Sequence, residues 1–307
     1  MKIFRNLWLI LGTVLVVAQP VIAQNDVPTV FSNQGGVTNT RHNMTQRAAG
    51  VDPSVAVMMN NSRNGYGEVC VYCHTPHGAN TSAAAPLWNR SLPTGTTYQT
   101  YDKLNTSTLT QTVSQPGAAS LPCLSCHDGS QAIDAIINMP GSGGYSATPN
   151  PVNWVATGGT TSKAVSHRTL SAAGGPTSCL SCHNPTGGTG QATEPTDFTI
   201  FAIGTDLRND HPVGVTFPTT NGPGTDWKAP GGTKVVNGLT NRFFDENSNS
   251  RMDKGDIRLY DSGNGASVEC ASCHDPHGVP SAGGINNPTF LRKTNTGSAV
   301  CMTCHNK

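Results

Sequence analysis

Charged residues are scarce in this 307-residue chain, and so are aromatic residues. Lys, Arg, Asp and Glu make up 12% of the chain, about half the usual share, and aromatic residues make up 6%. Beyond the N-terminal segment, no apolar run approaches the length of a membrane helix. Gly (34 residues) and Pro (21 residues) are abundant instead. Such a chain cannot fill a large core with its own side chains, so it is either largely disordered or packed around another group.

The N-terminal segment has the pattern of an export signal. Two basic residues precede an apolar run over residues 7–17, and the small residue Ala23 suits signal peptidase. We predict a signal peptide over 1–23 and a mature domain over 24–307, with a retained anchor as the alternative. Removal of the leader would leave 17 basic and 18 acidic residues. That balance gives no electrostatic basis for binding nucleic acid.

All ten cysteines fall into five copies of the pattern Cys-x-x-Cys-His, so none is left for a separate disulfide framework. The cysteines are Cys70, Cys73, Cys123, Cys126, Cys179, Cys182, Cys270, Cys273, Cys301 and Cys304, and the histidines are His74, His127, His183, His274 and His305. Two thiols at this spacing can bond to the two vinyl groups of one haem, and the following His reaches the iron as proximal ligand. A zinc site would need a fourth ligand in every copy. We therefore predict five haem c groups.

The remaining histidines match the number of sixth ligands that five low-spin haems need. They are His42, His77, His167, His211 and His277. We predict that they bind the haem irons on the distal side, with Met as the rival ligand. If every iron carries two protein ligands, no position is open for a substrate. This favours an electron carrier over an enzyme, and a multihaem reductase with one open haem is the alternative.

Two of the predicted distal ligands lie in matching sequences, three residues beyond a proximal histidine. His77 belongs to Cys-His-Thr-Pro-His-Gly, and His277 belongs to Cys-His-Asp-Pro-His-Gly. Neither can easily wrap round to the opposite face of the haem attached beside it, and the intervening Pro stiffens the turn. We expect each to ligate an adjacent haem and so to tie two haems into a close pair.

The linkers between motifs predict a multihaem cytochrome of mostly loops and turns wrapped around a chain of haems. They are 48, 51, 86 and 26 residues long and rich in Gly, Ser, Thr and Pro. We expect short helices at the motifs and a few short strands, for example over 96–101 and 256–260. The short last linker predicts that haems four and five are neighbours. Trp88, Trp154 and Trp227 are candidates for packing on haem, with an ordinary core role as the alternative.

The third linker carries the spacing of a calcium loop over residues 245–256. Oxygen ligands fall at loop positions 1, 3, 5, 9 and 12, and a main-chain carbonyl would supply position 7. The predicted calcium ligands are Asp245, Asn247, Asn249, Arg251 (through its carbonyl), Asp253 and Asp256. Position 6 is Ser250 in place of the usual Gly, and position 12 is Asp in place of Glu, as in the dockerin-type loop. A plain Asn- and Asp-rich turn is the alternative.

The sequence resembles the doubled-CxxCH multihaem c-type cytochromes. The likeness is carried by Glu-Val-Cys-Val-Tyr-Cys-His-Thr-Pro-His at 68–77, Ala-Pro-Leu-Trp-Asn-Arg at 85–90, Cys-Leu-Ser-Cys-His-Asp-Gly at 123–129, Asp-His-Pro-Val-Gly at 210–214 and Cys-His-Asp-Pro-His-Gly at 273–278. Within that group it is most similar to the extracellular nanowire (filament) cytochromes of the OmcE type. Five haems in place of the four common in that branch is a departure.

The resemblance implies bis-His haems in a continuous stack, little regular secondary structure and self-association into a filament. On the residues alone, His42 in its N-terminal arm could ligate a haem of its own chain or of a neighbour, and the resemblance implies the neighbouring subunit. We therefore expect a secreted electron-transfer protein, extracellular or at the cell surface, whose redox partners are other cytochromes or an extracellular acceptor. A monomeric periplasmic shuttle or a conduit subunit is the alternative.

Overall fold

The computed structural model is loop-rich over the part of the chain that it describes. The described residues are 32–45, 63, 66, 68–139, 167–174, 177–181, 183–185, 197–210, 212–281 and 283–306. The predicted signal peptide, Trp154, Cys182 and His211 lie outside these ranges. No helix among the described residues is long and apolar enough to cross a membrane.

Helical structure is confined to short segments, and one of them begins at or just before each Cys-x-x-Cys-His motif, where the sequence led us to expect it. Helices α1 (Leu121–His127), α2 (Cys270–Cys273) and α3 (Cys301–Cys304) cover the second, fourth and fifth motifs, and 3-10 turns at Cys70–Tyr72 and Cys179–Ser181 begin the first and third. Further 3-10 turns are Val37–Asn39, Tyr101–Leu104, Thr199–Phe201, Pro288–Phe290 and Thr296–Ser298. In α1, Pro122 lies in the first turn, where its missing N–H leaves no hydrogen bond unmade.

The described strands form one antiparallel sheet in the order β1-β5-β4-β3-β2. The strands are β1 (Val215–Thr216), β2 (Gly232–Val236), β3 (Leu239–Phe243), β4 (Arg258–Asp261) and β5 (Ala266–Val268). A two-residue turn of Asn237 and Gly238, both at positive φ, joins β2 to β3 in the conformation that hairpins favour. Strand β4 overlaps the predicted strand at 256–260.

The apolar core is divided into two small clusters, and motif cysteines pack against both. The sheet cluster consists of Phe217, Phe244, Ile257, Leu259 and Ala266, with Cys273 and Cys304 packed against it. The α1 cluster consists of Tyr98, Leu124, Leu207 and Val213, with Cys270 packed against it. Each cluster therefore ends at thiols that the sequence assigns to haem attachment.

A buried carboxylate joins the second motif to the fourth. Glu269 immediately precedes α2 and is only 3% exposed. It accepts hydrogen bonds from the hydroxyl of Ser120, at the start of α1, from the main-chain N–H of Gly117 (3.0 Å) and from the hydroxyl of Ser267 (3.1 Å). Its side chain and that of Ser272 also form a capping box on α2. Burial raises the pKa of Glu269, and these donors oppose that shift.

The predicted strand over 96–101 is wrong. Within it only Gln99 makes a bridge, to Asp206, and Tyr101 already begins a 3-10 turn. The cause is the side-chain amide of Gln115, which accepts from the N–H of Tyr98 at 2.8 Å and donates to its carbonyl at 3.0 Å. Because one amide satisfies both main-chain groups, this segment needs no neighbouring strand.

Arg90 joins the first motif's loop to the second motif, which yields a stability prediction. Its guanidinium is fully buried and donates to the hydroxyl and carbonyl of Ser125 and to the carbonyls of Ala132 and Ile133, at 2.8–3.2 Å. Arg90→Met would leave buried carbonyls unpaired and should lower the free energy of unfolding by about 3 kcal/mol.

The measurement is denaturant unfolding of the haem-loaded protein. The matched control is Arg242→Met, because Arg242 is exposed in β3 and makes no side-chain hydrogen bond in the described chain. Equal losses in the two variants would contradict the prediction.

Candidate functional site

Hydrogen bonds at Nδ1 fix the orientation of three motif histidines. Nδ1 of His74 lies 2.7 Å from the carbonyl of Pro86, and those of His127 and His274 lie 2.7 Å from the carbonyls of Phe201 and Thr289. A carbonyl can only accept, so Nδ1 carries the ring proton in each case. The lone pair is then on Nε2, which is the form of imidazole that binds a metal ion.

Three of the predicted distal ligands are held in the same way. Nδ1 of His42 lies 3.3 Å from the carbonyl of Pro276. Nδ1 of His167 lies 2.8 Å from a carboxylate oxygen of the buried Asp134, and Nδ1 of His277 lies 3.2 Å from Asp275. A carboxylate partner fixes the tautomer and also makes the ring a stronger electron donor to a metal.

Two pairs of histidines lie at the separation that one metal ion between them requires. Metal–nitrogen bonds of about 2 Å, plus roughly 1 Å from each nitrogen to its ring centre, place trans imidazoles about 6 Å apart. The ring centres of His74 and His277 are 6.0 Å apart, and those of His42 and His127 are 6.2 Å apart. Each pair joins a motif histidine to a histidine that is remote in sequence.

Burial favours the neutral form of three of these imidazoles, those of His42, His74 and His127. It lowers the pKa of His42 to about 4, with a further lowering from the nearby His127, and it lowers the pKa values of His74 and His127 as well. A histidine must lose its second proton before it can bind a metal ion. At neutral pH these rings are therefore already in the binding form.

The first, fourth and fifth motifs each pair, in the same way, with a separate stretch of chain that lies beside them, here called the return segment. The main chain at His74 bridges to Trp88, that at His274 to Leu291, and that at His305 to Trp227. In each copy the next residue of the return segment donates its N–H to the main-chain carbonyl of the second motif cysteine. The donors are Asn89, Arg292 and Lys228, at 2.7–2.8 Å. This motif clamp holds the proximal histidine against a returning strand-like segment.

The cysteines place the motifs beside one another in an order that differs from the chain order. Burial and the nearby Cys126 raise the pKa of Cys73 to about 12, which puts the first motif next to the second. A hydrogen bond between Cys123 and Cys270 raises the pKa of the former and lowers that of the latter, which joins the second motif to the fourth. Burial and, to a smaller extent, the charge of the nearby Cys273 raise the pKa of Cys304 to about 12, so the fourth and fifth motifs also lie next to each other.

The third motif approaches the second through the loop at 197–201. The ring of Phe198 stacks on His183 with centres 4.0 Å apart, while the carbonyl of Phe201 binds His127. The guanidinium of Arg41 lies over both phenylalanine rings, 6.0 and 5.4 Å from their centres. The second motif is thus linked to the first, the third and the fourth motifs.

Some predicted ligands are not brought into a pair. The ring of His77 makes no hydrogen bond or ring contact with any other residue of the described chain, whereas the ring centre of His277 lies 6.0 Å from that of His74 in the first motif. Ligation of an adjacent haem by either residue stays a prediction. His211 and Cys182 lie outside the described residues. Of the predicted haem-packing aromatics, Trp88 lies 6.0 Å from His74 and Trp227 lies 4.3 Å from His305.

The predicted calcium loop folds as a tight turn of mutually bonded side chains. Ser250 takes φ of +60° where a calcium loop normally has Gly, and one Asp253 oxygen accepts from the amides of Asn247 and Asn249 at 3.0 and 2.7 Å. Burial raises the pKa of Asp256, helped by the charges of Asp253 and Asp245. No group of three or more His, Cys, Asp and Glu in the described ranges is arranged to hold a metal ion, so calcium binding stays a prediction.

The comparison with protein families identifies the C-terminal part of this arrangement. The family described as "Doubled CXXCH motif" matches residues 264–307, which contain the fourth and fifth motifs. These residues carry haem-binding motifs of the c-type cytochrome kind. The doubled motif implies covalently bound haem c and suggests electron transfer. No curated protein and no solved structure matches the chain.

The residues around the haem-binding motifs fit the group that the motifs imply. Each described motif presents thiols beside a histidine, and two of the histidines have a second ring at the required distance. The indole N–H of Trp88 is buried without an acceptor, next to His74. A haem propionate is an acceptor of the right kind for such a group. Sequence reasoning missed the orienting acceptors of the histidines, such as Asp134 and the carbonyl of Pro86, because only the folded chain shows which oxygen lies beside each ring.

Substitution of Gly278, the last residue of the sequence Cys-His-Asp-Pro-His-Gly, tests how tightly the turn that contains His277 is packed. Gly278 has φ of +79°, and a Cβ there would collide with the side-chain amide of Asn286, which is buried and donates to the carbonyl of Gly35 in the N-terminal arm. Gly278→Ala should lower the midpoint of thermal unfolding of the haem-loaded protein and disturb its low-spin absorption spectrum.

Gly284→Ala is the matched control for this substitution. Gly284 has nearly the same φ, +81°, but nothing lies within 4 Å of an added Cβ. It should show only the cost of a side chain at positive φ, about 1 kcal/mol. If Gly278→Ala were no more harmful than Gly284→Ala, the turn would not be held as described.

Proposed function

We propose that the chain is an exported pentahaem c-type cytochrome that carries electrons through haems with two histidine ligands each. The supporting observation is the geometry of the two histidine couples. Within each couple the ring centres are about 6 Å apart, and both Nδ1 atoms are hydrogen-bonded to oxygen atoms of other residues. In each couple, one histidine follows the cysteine pair of a haem-binding motif. In these two couples the residues would supply haem attachment and two histidine ligands, with no ligand position left for a substrate.

The ligand sets follow from these couples. Cys70, Cys73 and His74 would hold the first haem, with His277 opposite, and Cys123, Cys126 and His127 would hold the second, with His42 opposite. The other motifs would hold three more haems, with distal ligands from His77, His167 and His211. Bound haem supplies a one-electron iron couple.

The chain's own residues orient the imidazoles through hydrogen bonds at Nδ1, and they set the order of the sites in space. The contacts between motif cysteines support a route from the first site to the second, then to the fourth and the fifth, with the third beside the second. Electron transfer between such sites is outer-sphere and depends on how close their edges lie. The protein side chains would therefore act by spacing the sites and by tuning their potentials.

The proposal extends to an extracellular filament in which copies of the chain join end to end. It rests on the resemblance of the sequence to filament cytochromes and on the predicted signal peptide. His42 lies against His127 of its own chain, so ligation of a neighbouring subunit's haem by His42 would require the N-terminal arm to leave this position. Electron microscopy and size-exclusion chromatography of the exported protein test this extension: filaments support it, and a monomer indicates the shuttle alternative.

The haem content provides the main test of function. Intact-mass analysis of the exported protein should show removal of residues 1–23 and the addition of five haems. Replacement of both cysteines of any one motif by Ser should remove one haem mass. The reduced protein should bind no carbon monoxide, since every iron carries two protein ligands. Stoichiometric carbon monoxide binding at one haem would overturn the electron-carrier assignment in favour of a reductase.

Calcium binding at 245–256 is a separate proposal with its own test. We expect Ca²⁺ to raise the thermal unfolding midpoint of the chelator-treated protein, because the ion would bridge carboxylates that otherwise repel. Asp253→Asn should abolish the shift, and Asp261→Asn, in β4 outside the loop, should keep it. If Ca²⁺ leaves the midpoint of the unmodified protein unchanged, the loop is a plain turn.

A further inference from the structure

The two histidine couples differ in the angle between their ring planes. The rings of His74 and His277 are nearly parallel, at 14°, whereas those of His42 and His127 are nearly perpendicular, at 81°. The ring separations are almost the same, 6.0 and 6.2 Å, so the two couples differ in orientation alone. If both couples bind iron, as the proposed function requires, this angle has electronic consequences.

An imidazole donates π-electron density to the iron d orbital that lies perpendicular to the ring plane. Two parallel rings act on the same orbital and split the two dπ levels, which produces a rhombic electron paramagnetic resonance signal with three resolved g values. Two perpendicular rings act on both orbitals about equally and leave them nearly degenerate, which produces a strongly anisotropic signal with a large maximum g value. Because parallel rings raise one orbital more, they stabilise the ferric state better, and a perpendicular site is easier to reduce.

Phe290 and Pro276 fix the orientation of His42. The ring of Phe290 stacks on His42 with centres 4.3 Å apart and planes 17° from parallel, while the carbonyl of Pro276 binds its Nδ1. Phe290 occupies the position in its motif clamp that Leu87 occupies in the first clamp, and both residues have positive φ, +60° and +54°. The aromatic ring is therefore specific to the copy that contacts His42.

Charge near the ligands acts in the same direction as the ring angle. His277 is bound at Nδ1 by the carboxylate of Asp275, which Arg292 also contacts at 3.3 Å. Both Nδ1 atoms of the His42 couple have carbonyl partners, and the carboxylate of Asp128 acts on His127 through its charge without a hydrogen bond to Nδ1. A carboxylate hydrogen-bonded at Nδ1 increases ligand donation and favours the ferric state more than a carbonyl partner does.

We infer that the first and second haem sites are electronically inequivalent, with the second site the easier to reduce, and that Phe290 is the positioning residue that sets this difference through the ring of His42. The inference rests on the proposed function and specifies how two of its sites differ. Electrons arriving at the first site would then pass downhill to the second.

Electron paramagnetic resonance of the oxidised, haem-loaded protein tests the assignment. The spectrum should contain both a rhombic and a large-gmax component. His42→Met should remove large-gmax intensity equivalent to one haem, and His277→Met should remove rhombic intensity equivalent to one haem. Phe290→Leu, which inserts the residue already present in the first clamp, should broaden or abolish the same large-gmax intensity at unchanged haem content. An undiminished large-gmax component in both His42→Met and Phe290→Leu would overturn the inference.

A redox titration tests the contribution of charge. Asp275→Asn should shift one reduction step to higher potential and leave the step that His42→Met displaces unchanged. Asp206→Asn is the control, because Asp206 pairs with Arg208 on the surface and contacts no histidine among the described residues. Absence of a shift in Asp275→Asn would overturn the charge argument. If the unmodified protein carried no haem, the proposed function itself would fail, whereas five haems with identical signals would refute only this inference.

Discussion

A hydrogen bond from Nδ1 to an oxygen of the protein, made by most of the described histidines, is the constraint on which the site depends. It consumes the ring proton on the side away from the metal position and leaves Nε2 as the only free nitrogen. Six described histidines satisfy it, four through main-chain carbonyls and two through carboxylates. Main-chain acceptors are available only where a loop returns beside the motif, so the loops that join the motifs serve to orient the ligands.

This requirement explains a fold that has little regular structure and a small core. Two apolar clusters end at motif cysteines, and the motifs are joined to one another by buried polar side chains such as Arg90 and Glu269. Buried charges of this kind stabilise a protein only when each is fully hydrogen-bonded, which both residues achieve through several partners. Haem surfaces packed between the motifs would supply the apolar burial that the side chains lack.

The sequence predicts chemistry here better than it predicts shape. The spacing of Cys-x-x-Cys-His gives attachment sites and short helices, because both depend on residues within five positions of each other. The partner of His277 could not be named in advance, since its closeness to His74 depends on how two segments some two hundred residues apart fold together. The strand expected at 96–101 failed for a similar reason: the side chain of Gln115 replaced the neighbouring strand.

The position of His42 changes what self-association would require. In the resemblance, this histidine closes a haem of the neighbouring subunit, but in the chain its ring stacks on Phe290 and lies 6.2 Å from His127 of the same molecule. Asn33 and Gly35 of the same arm are hydrogen-bonded to Asn286. In this arrangement the arm lies beside the second and fourth motifs of its own chain. Ligation of another chain's haem by this histidine would first have to break these contacts.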